Sequence, residues 1–265
     1  MGLETGFGRL ELPRITGPIT WRTAARQATA IPKDQAPPFL QWADFVALWE
    51  WRQGEHVSLL GPTGQGKTTF ANAILPKREY VVAIATKPKD PTLDKLAKTK
   101  EWHRIAEWPP PKKAHKVLLW PPFKKPEYER AQARAIAEAF ENIFEDGGWT
   151  ILFDEVFYIA NDLKLEHWCK RFWTQGRSIG ITVIAGTQRP AFVPLDMYSA
   201  ATWIVVWRTN ERRDLERLAG LGSANTEAVR RYVQQLRPHE VLVINTRDGA
   251  MLRTKADLPG GKKIA

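Results

Sequence analysis

The sequence has little that would tie it to a membrane, a metal or an oxidising compartment. Its only cysteine is Cys169, which excludes disulfide bonds within the chain and thiolate metal sites. Its five histidines show no metal-ligand spacing. No apolar run approaches the roughly 18 residues of a membrane-spanning helix, and the N-terminus has no signal-peptide core. We therefore expect a cytoplasmic protein without stable membrane insertion, in which Cys169 is a core residue.

The composition favours a polyanionic partner. The 265 residues are 43% hydrophobic, enough for one large domain, and carry a net charge of +10. Such a charge suits nucleic acid first and a membrane surface second; the alternative is a basic composition without functional meaning. Residues 87–130 hold twelve Lys and Arg against six Asp and Glu. Aromatic residues are interleaved with these cations, which predicts either nucleic-acid contact or a solvated loop face.

Short apolar runs alternate with helical patterns along the chain. Buried strands are predicted at 56–60, 80–85, 117–120, 149–153, 181–185 and 203–207, with a terminal hairpin at 241–244 and 250–253. Helices are predicted at 39–53, 68–75, 127–144, 161–175, 211–219 and 226–236. We therefore predict three parts of the chain. Residues 1–53 form an N-terminal arm plus amphipathic helix, residues 54–255 form the main domain, and residues 256–265 form a flexible basic tail.

The most specific motif lies between the first of these strands and its helix. Gly61-Pro-Thr-Gly-Gln-Gly-Lys67-Thr68 fits the phosphate-binding P-loop. The glycines allow the backbone N–H groups to converge on phosphate oxygens, and the helix N-terminus adds its dipole. Lys67 can neutralise the β- and γ-phosphates, and the Thr68 hydroxyl can ligate Mg²⁺. The nucleotide-contacting residues are therefore predicted to be Gly61, Pro62, Thr63, Gly64, Gln65, Gly66, Lys67, Thr68 and Thr69.

Two acids follow the predicted strand at 149–153. Asp154 and Glu155 would stand at its carboxyl end, the edge where open α/β sheets bind ligands. Asp154 is predicted to hold Mg²⁺, and Glu155 to polarise the attacking water as a general base. A carboxylate placed to activate water favours hydrolysis over transfer to a small acceptor.

Two further residues have positions that suit catalysis. Gln188 follows the strand at 181–185, where its amide could contact the γ-phosphate or the water; the alternative is a turn glutamine. Arg177 lies at the preceding helix-to-strand turn, where it could act as an arginine finger in a neighbouring subunit's site. A surface arginine is the alternative.

The order of these motifs resembles the FtsK–HerA superfamily of DNA-pumping ATPases over residues 54–255. The block from Gly176-Arg177 to Thr187-Gln188-Arg189-Pro190 is the most specific part of that resemblance. It implies a RecA-like P-loop NTPase of the additional-strand, catalytic-glutamate type. Its largely parallel central sheet would be flanked by helices and end in a C-terminal hairpin. It also implies a ring of five or six subunits with ATP and Mg²⁺ at their boundaries, where Lys67, Glu155, Gln188 and Arg177 would be catalytic.

The expected function is ATP-driven translocation of double-stranded DNA. The chain length is similar to that of viral genome-packaging ATPases, which would place the protein in the host cytoplasm beside a portal or capsid protein. A conjugative or plasmid-transfer ATPase is the alternative within this class. Outside it stand a phage-assembly or secretion ATPase acting on protein, a P-loop kinase, and a nucleotide-binding module without turnover. The presence of Lys67, Asp154 and Glu155 argues against the last.

Overall fold

A computed structural model describes residues 37–123, 127–188, 193–219 and 226–256. Within these ranges nine strands form one sheet. They are β1 (Val57–Leu60), β2 (Val81–Ile84), β3 (Trp102–Ile105), β4 (Lys116–Leu119), β5 (Thr150–Phe153), β6 (Thr182–Thr187), β7 (Trp203–Trp207), β8 (Val241–Asn245) and β9 (Met251–Thr254). The predicted arm up to residue 36, the tail from 257, and Arg189 and Pro190 lie outside the described residues.

Helices cover both faces of this sheet. They are α1 (Trp42–Leu48), α2 (Lys67–Ile74), α3 (Pro91–Ala97), α4 (Tyr128–Asp146), α5 (Glu166–Gln175), α6 (Asp196–Ser199), α7 (Arg212–Ala219) and α8 (Thr226–Gln235). Shorter turns of 3-10 helix span Leu75–Lys77 and Gly176–Ile179, and a π-helical turn spans Tyr158–Asp162.

The strand order is β3-β4-β2-β5-β6-β1-β7-β8-β9. Neighbouring strands from β3 to β7 are parallel, whereas β7, β8 and β9 pair antiparallel. The predicted α/β fold class, largely parallel with a C-terminal hairpin, is therefore confirmed. One strand, β6, separates the P-loop strand β1 from the acid-bearing strand β5, which is the additional-strand arrangement that the resemblance implies.

Side-chain alternation along the central strands builds a core on each face of the sheet. Val57, Leu59, Val81 and Ala83 lie in one cluster with residues of α1, α2 and α3. Leu60, Val82, Ile84 and Phe153 lie in the other, with residues of α4 to α8. Strands buried on both faces appear as continuous apolar runs in the sequence, which is why these were predictable. Cys169 is fully buried in α5, as predicted.

The structure differs from prediction at the polar edge of the sheet and near residue 50. Neither β3 nor α3 was predicted, because both lie within the basic segment and the edge strand β3 buries none of its residues fully. The helix predicted over 39–53 is confined to Trp42–Leu48. It ends there because Trp49 is extended and stacks on Trp51 at 5.2 Å, with their ring planes 9° apart.

The described part of the N-terminal segment packs on the main domain. Arg253 N of β9 donates to Pro38 O at 2.7 Å, and Leu40 N donates to Arg253 O at 2.8 Å. Phe45 of α1 is fully buried, and its ring lies 6.3 Å from that of Phe70 in α2. Trp42, Phe45 and Trp49 therefore pack their rings against Phe70 of the P-loop helix.

Candidate nucleotide-binding site

The loop from Gly61 to Gly66 joins β1 to α2 at the carboxyl edge of the sheet. Gly64 and Gly66 have φ of 77° and 105°, a left-handed backbone that favours glycine. Helix α2 begins immediately after Gly66, so its first N–H groups, which lack intrahelical acceptors, lie at this loop. The Lys67 ammonium donates to Gly61 O at 2.6 Å and to Pro62 O at 2.9 Å. The arrangement matches the phosphate-binding loop that the motif predicts.

Two glycines let neighbouring chain segments approach closely here. A Cβ on Gly61 would lie 2.7 Å from Trp207 Cβ, at the end of β7. A Cβ on Gly186 would lie 2.6 Å from the carbonyl oxygen of Asp154, at the end of β5. The first contact brings the P-loop against β7, and the second brings the sensor strand β6 against the end of the acid-bearing strand β5.

Asp154 is placed beside the P-loop threonine, as the two motifs require. The Thr68 hydroxyl donates to Asp154 Oδ1 at 2.6 Å, and the Asp154 side chain is 7% exposed. The other carboxylate oxygen, Oδ2, accepts a hydrogen bond from Lys87 Nζ at 2.8 Å. Burial lowers the pKa of Lys87, but the charge and hydrogen bond of Asp154, together with the charges of Asp90 and Glu155, raise that pKa overall.

Lys87 is a site residue that the sequence interpretation missed. It follows β2, which pairs with β5, so both strands end at the same edge. The Lys87 carbonyl accepts a hydrogen bond from Trp120 Nε1 at 2.9 Å, and its ammonium lies 3.8 Å from Asp90 Oδ2. The rule that parallel strands share a carboxyl edge would have identified it once the strand order was known.

Glu155 points into the same region from the residue after Asp154. Its Oε1 accepts from Phe157 N at 3.3 Å, and its carboxylate also accepts from the Thr187 side chain at the end of β6. Burial raises the pKa of Glu155, although these hydrogen bonds and the charge of Lys67 act against the rise. A carboxylate with a raised pKa is a stronger base, which suits the predicted proton acceptor.

Gln188 reaches the P-loop from the next strand. The Thr63 hydroxyl donates to Gln188 Oε1 at 2.5 Å, and both side chains are exposed. A cleft of about 340 Å³ lies between these groups. Its lining includes Thr63, Lys67, Thr68, Lys87, Asp154 and Gln188.

Burial changes the pKa of the Lys67 ammonium in this cleft. Burial, with a smaller contribution from Lys87, lowers the pKa of Lys67 to about 8 against the raising effects of Glu155 and Asp154. Phosphate oxygens at the loop would favour the charged ammonium. The free energy of binding an anion is therefore coupled to the protonation of Lys67.

Arg177 lies away from this cleft. It belongs to the 3-10 turn before β6, whereas Gln188 directly follows that strand, so the two residues are at opposite edges of the sheet. The Arg177 side chain is exposed, and its Cγ lies 3.3 Å from the position of a Cβ on Gly54. The structure thus brings together all the predicted site residues around the P-loop except this arginine.

The donor set fits a nucleotide-borne Mg²⁺ better than a metal held by protein alone. The Thr68 hydroxyl and the Asp154 carboxylate are hard oxygen donors of the kind that Mg²⁺ prefers, and Mg²⁺ usually takes its other ligands from phosphate and water. Over the ranges described, no group of three or more His, Cys, Asp or Glu side chains is placed to hold a metal. The same ranges contain no helix with the length and apolarity needed to cross a bilayer.

Two aromatic residues of the basic segment, Trp108 and Trp120, are buried. Trp108 is 7% exposed and Trp120 is 4% exposed, and both belong to the core. The Arg104 guanidinium covers Trp120 at 4.0 Å from the ring centroid. These two rings are therefore not free to stack on bases, and nucleic-acid contact by the segment stays a prediction.

No protein-family model and no curated protein matches the chain. Several solved structures match it in fold. B204, the DNA-packaging ATPase from Sulfolobus turreted icosahedral virus, gives a TM-score of 0.55 at 15% identity and covers 78% of this chain and 100% of its own. B204 from Sulfolobus turreted icosahedral virus 2, in complex with ATP-gammaS, gives a TM-score of 0.52 at 14% identity and covers 77% of this chain and 98% of its own.

Two other proteins share the fold. VirB4 of Thermoanaerobacter pseudethanolicus gives a TM-score of 0.58 at 10% identity and covers 77% of this chain and 90% of its own. Thermomonospora curvata EccC (ATPases 2 and 3), in complex with a signal sequence peptide, gives a TM-score of 0.53 at 14% identity and covers 82% of this chain and 45% of its own. The chain therefore shares the fold of these ATPases, which is the fold that the resemblance in the motifs implies.

Proposed function

We propose that the protein is an ATP hydrolase that translocates double-stranded DNA, of the kind that packages a viral genome. The observation that carries the proposal is the assembly at one sheet edge of a P-loop lysine, a Thr68–Asp154 pair, a partly buried Glu155 and a Gln188 that contacts Thr63. The similarity in fold to B204, a DNA-packaging ATPase, supports it.

The chemistry proposed is attack by water on the γ-phosphorus of ATP. A bond forms from the water oxygen to phosphorus, the bond to the β-phosphate oxygen breaks, and ADP and phosphate result. Glu155 accepts the water proton, since its carboxylate is held by Phe157 N and Thr187 and is made more basic by burial. Lys67 neutralises the β- and γ-phosphates, and Gln188 orients the water.

Mg²⁺ would be held by Thr68 and, through its water shell, by Asp154. When bound it supplies positive charge that stabilises charge developing on the phosphate oxygens. The Lys87 ammonium occupies the far side of the same carboxylate.

DNA would be gripped by its phosphates, which is consistent with the net charge of +10 and is blind to sequence. The proposal includes a homo-oligomeric ring of five or six subunits with ATP at the boundaries, where Arg177 acts on a neighbour's nucleotide. In a virus the ring would meet a portal or capsid protein in the host cytoplasm. A conjugative ATPase would use the same motor for a different DNA.

Phosphate release from ATP by the full chain, with and without linear duplex DNA, tests the proposal. We expect release that DNA stimulates at low salt and that loses this stimulation as salt rises. Glu155→Gln, the matched control, keeps the shape of the side chain but lacks the base and should bind ATP without releasing phosphate. A phosphate release rate that is indifferent to DNA at low salt contradicts translocation while leaving hydrolysis intact.

A second candidate is an ATPase that acts on protein. It is favoured by the similarity to EccC, which was solved with a signal sequence peptide. Stimulation of phosphate release by an unfolded or signal-type peptide, together with indifference to duplex DNA, would select it over the DNA motor.

A further inference from the structure

A histidine outside the predicted site lies against the P-loop on the side away from the acids. His239 is exposed, and its Nδ1 lies 3.2 Å from the carbonyl oxygen of Gln65. A Cβ on Gly66 would be 3.8 Å from His239 Nδ1 and 3.8 Å from Trp207 Nε1. The exposed imidazole and the buried indole edge thus both approach the end of the loop.

The backbone of His239 is held in an unusual conformation to place the ring there. Its φ is 64°, in the left-handed region that residues other than glycine seldom adopt. Such a conformation persists when surrounding contacts enforce it, and it is concentrated at ligand sites.

Those enforcing contacts centre on Glu240, which is 4% exposed. Its carboxylate accepts from Arg237 N at 2.9 Å and from Arg253 Nη1 at 3.0 Å. Glu240 N in turn donates to Arg237 O at 3.0 Å. The turn that carries His239 is therefore tied to itself and to β9, which makes it a rigid support for the ring.

The strand order fixes which end of a nucleotide would meet this ring. Asp154 and Gln188 follow β5 and β6, on one side of β1, whereas Trp207 and His239 belong to β7 and the turn before β8, on the other side. If hydrolysis occurs beside Glu155, the γ-phosphate lies on the acid side of the loop. A triphosphate that crosses the loop then directs its α-phosphate and nucleoside toward β7 and β8.

We infer that the exposed ring of His239 forms part of the subsite for the base and ribose of the nucleotide. The inference rests on the proposed function, because it takes the acid side as the γ-phosphate side. An imidazole face offers the stacking surface that a base uses, and aromatic stacking of this kind accepts any base. His239 is thus a binding residue for the nucleoside, separate from the groups that hold phosphate.

The test compares ATP with inorganic tripolyphosphate, which has the phosphates but neither base nor ribose. Dissociation constants for both, with Mg²⁺ present, are measured for the wild type and for His239→Asn. Asparagine tolerates the left-handed backbone and removes the ring. His103→Asn, a matched exchange at the exposed β3 edge, is the control.

We expect His239→Asn to weaken ATP about tenfold, the order found for losing one base–aromatic contact, and to leave tripolyphosphate unchanged. Equal weakening of both ligands, or of neither, overturns the subsite. His239→Gly, which has no strain at this φ, gives the same comparison if the asparagine variant unfolds. If the wild type binds neither ligand, the nucleotide site itself is refuted. If the wild type binds both ligands and His239→Asn changes both affinities equally, only the role of His239 is refuted.

Discussion

Replacing Gly61 by alanine tests why the P-loop begins with a glycine in this chain. Gly61 has no positive φ, so conformational freedom does not explain it. The added Cβ would lie 2.7 Å from Trp207 Cβ and 3.5 Å from Trp207 Cα. Carbon atoms pack best at about 3.5–4.0 Å, so the overlap is close to 1 Å.

The overlap cannot be relieved by a side-chain rotation, because a Cβ is fixed by its own backbone. Trp207 is 1% exposed, and its ring packs edge-on against Phe70 at 5.8 Å. Strands β1 and β7, which pair directly, would have to separate or the loop would have to move. Overpacking of this kind costs about 1–3 kcal/mol, and the movement would also displace the Gly61 carbonyl that holds Lys67.

Urea unfolding of wild type, Gly61→Ala and Gly64→Ala gives the measurement. Gly64 is the matched control, since it has φ of 77° but nothing within 4 Å of an added Cβ. Gly64→Ala should lower the free energy of unfolding by no more than the strain of one left-handed residue, about 1–2 kcal/mol. A less flexible unfolded chain offsets part of that loss. We expect Gly61→Ala to lower the free energy of unfolding at an unchanged m-value. If Gly61→Ala unfolds at the wild-type midpoint, the close approach of Trp207 does not constrain the loop.

Three other predictions concern charge in the site. Burial lowers the pKa of Lys67 to about 8. The affinity for ATP should therefore be level below pH 8 and fall above it, by at most about tenfold per pH unit. Calorimetric titration of ATP across this range measures the affinity, and an affinity that does not change with pH contradicts the role of Lys67 in binding phosphate. Lys87→Met removes the ammonium that competes with a divalent ion for Asp154, so Mn²⁺ should bind about fivefold more tightly beside a non-hydrolysable analogue, as expected for a half-exposed pair worth about 1 kcal/mol. Electron paramagnetic resonance follows the Mn²⁺, with Lys89→Met as control, and equal affinities in the two variants refute the competition. Arg177→Ala and Lys67→Ala subunits should each be inactive alone yet release phosphate when mixed, whereas an inactive mixture rules out action between subunits.

The parts of the fold that the sequence predicts are those with strong periodic signals. Strands such as Trp203–Trp207 are buried on both faces and appear as unbroken apolar runs. The edge strand Trp102–Ile105 carries a histidine and an arginine on exposed positions, so it has the composition of a loop. Its strand conformation comes from pairing with β4, which the local sequence does not encode.

The candidate site divides in the same way. The P-loop and the Asp154-Glu155 pair are predictable because spacing along the chain defines them. Lys87 and His239 reach the site through strand order and a turn held by Glu240, respectively. Their place in the site depends on elements far away in the sequence, so local spacing does not identify it. Gly61 is intermediate: its motif is visible, but the reason for it, contact with Trp207, is not.

The position of Arg177 limits how it can act. Its turn is fixed at the amino edge of the sheet, where Gly148 N donates to Ile179 O at 2.9 Å and the Gln53 side chain donates to Gly180 O at 2.6 Å. The six-residue strand β6 then spans about 20 Å before Gln188, farther than an arginine side chain extends.

Direct contact of Arg177 with a nucleotide therefore requires a second copy, oriented so that its amino-edge turn meets the cleft beside Glu155. That contact joins two different surfaces of the chain, and a repeated contact of this kind gives a closed ring or an open helix, according to its rotation. Of these two outcomes, the closed ring is the one that can encircle a DNA duplex. The geometry of one arginine thus connects the proposed chemistry to the proposed assembly.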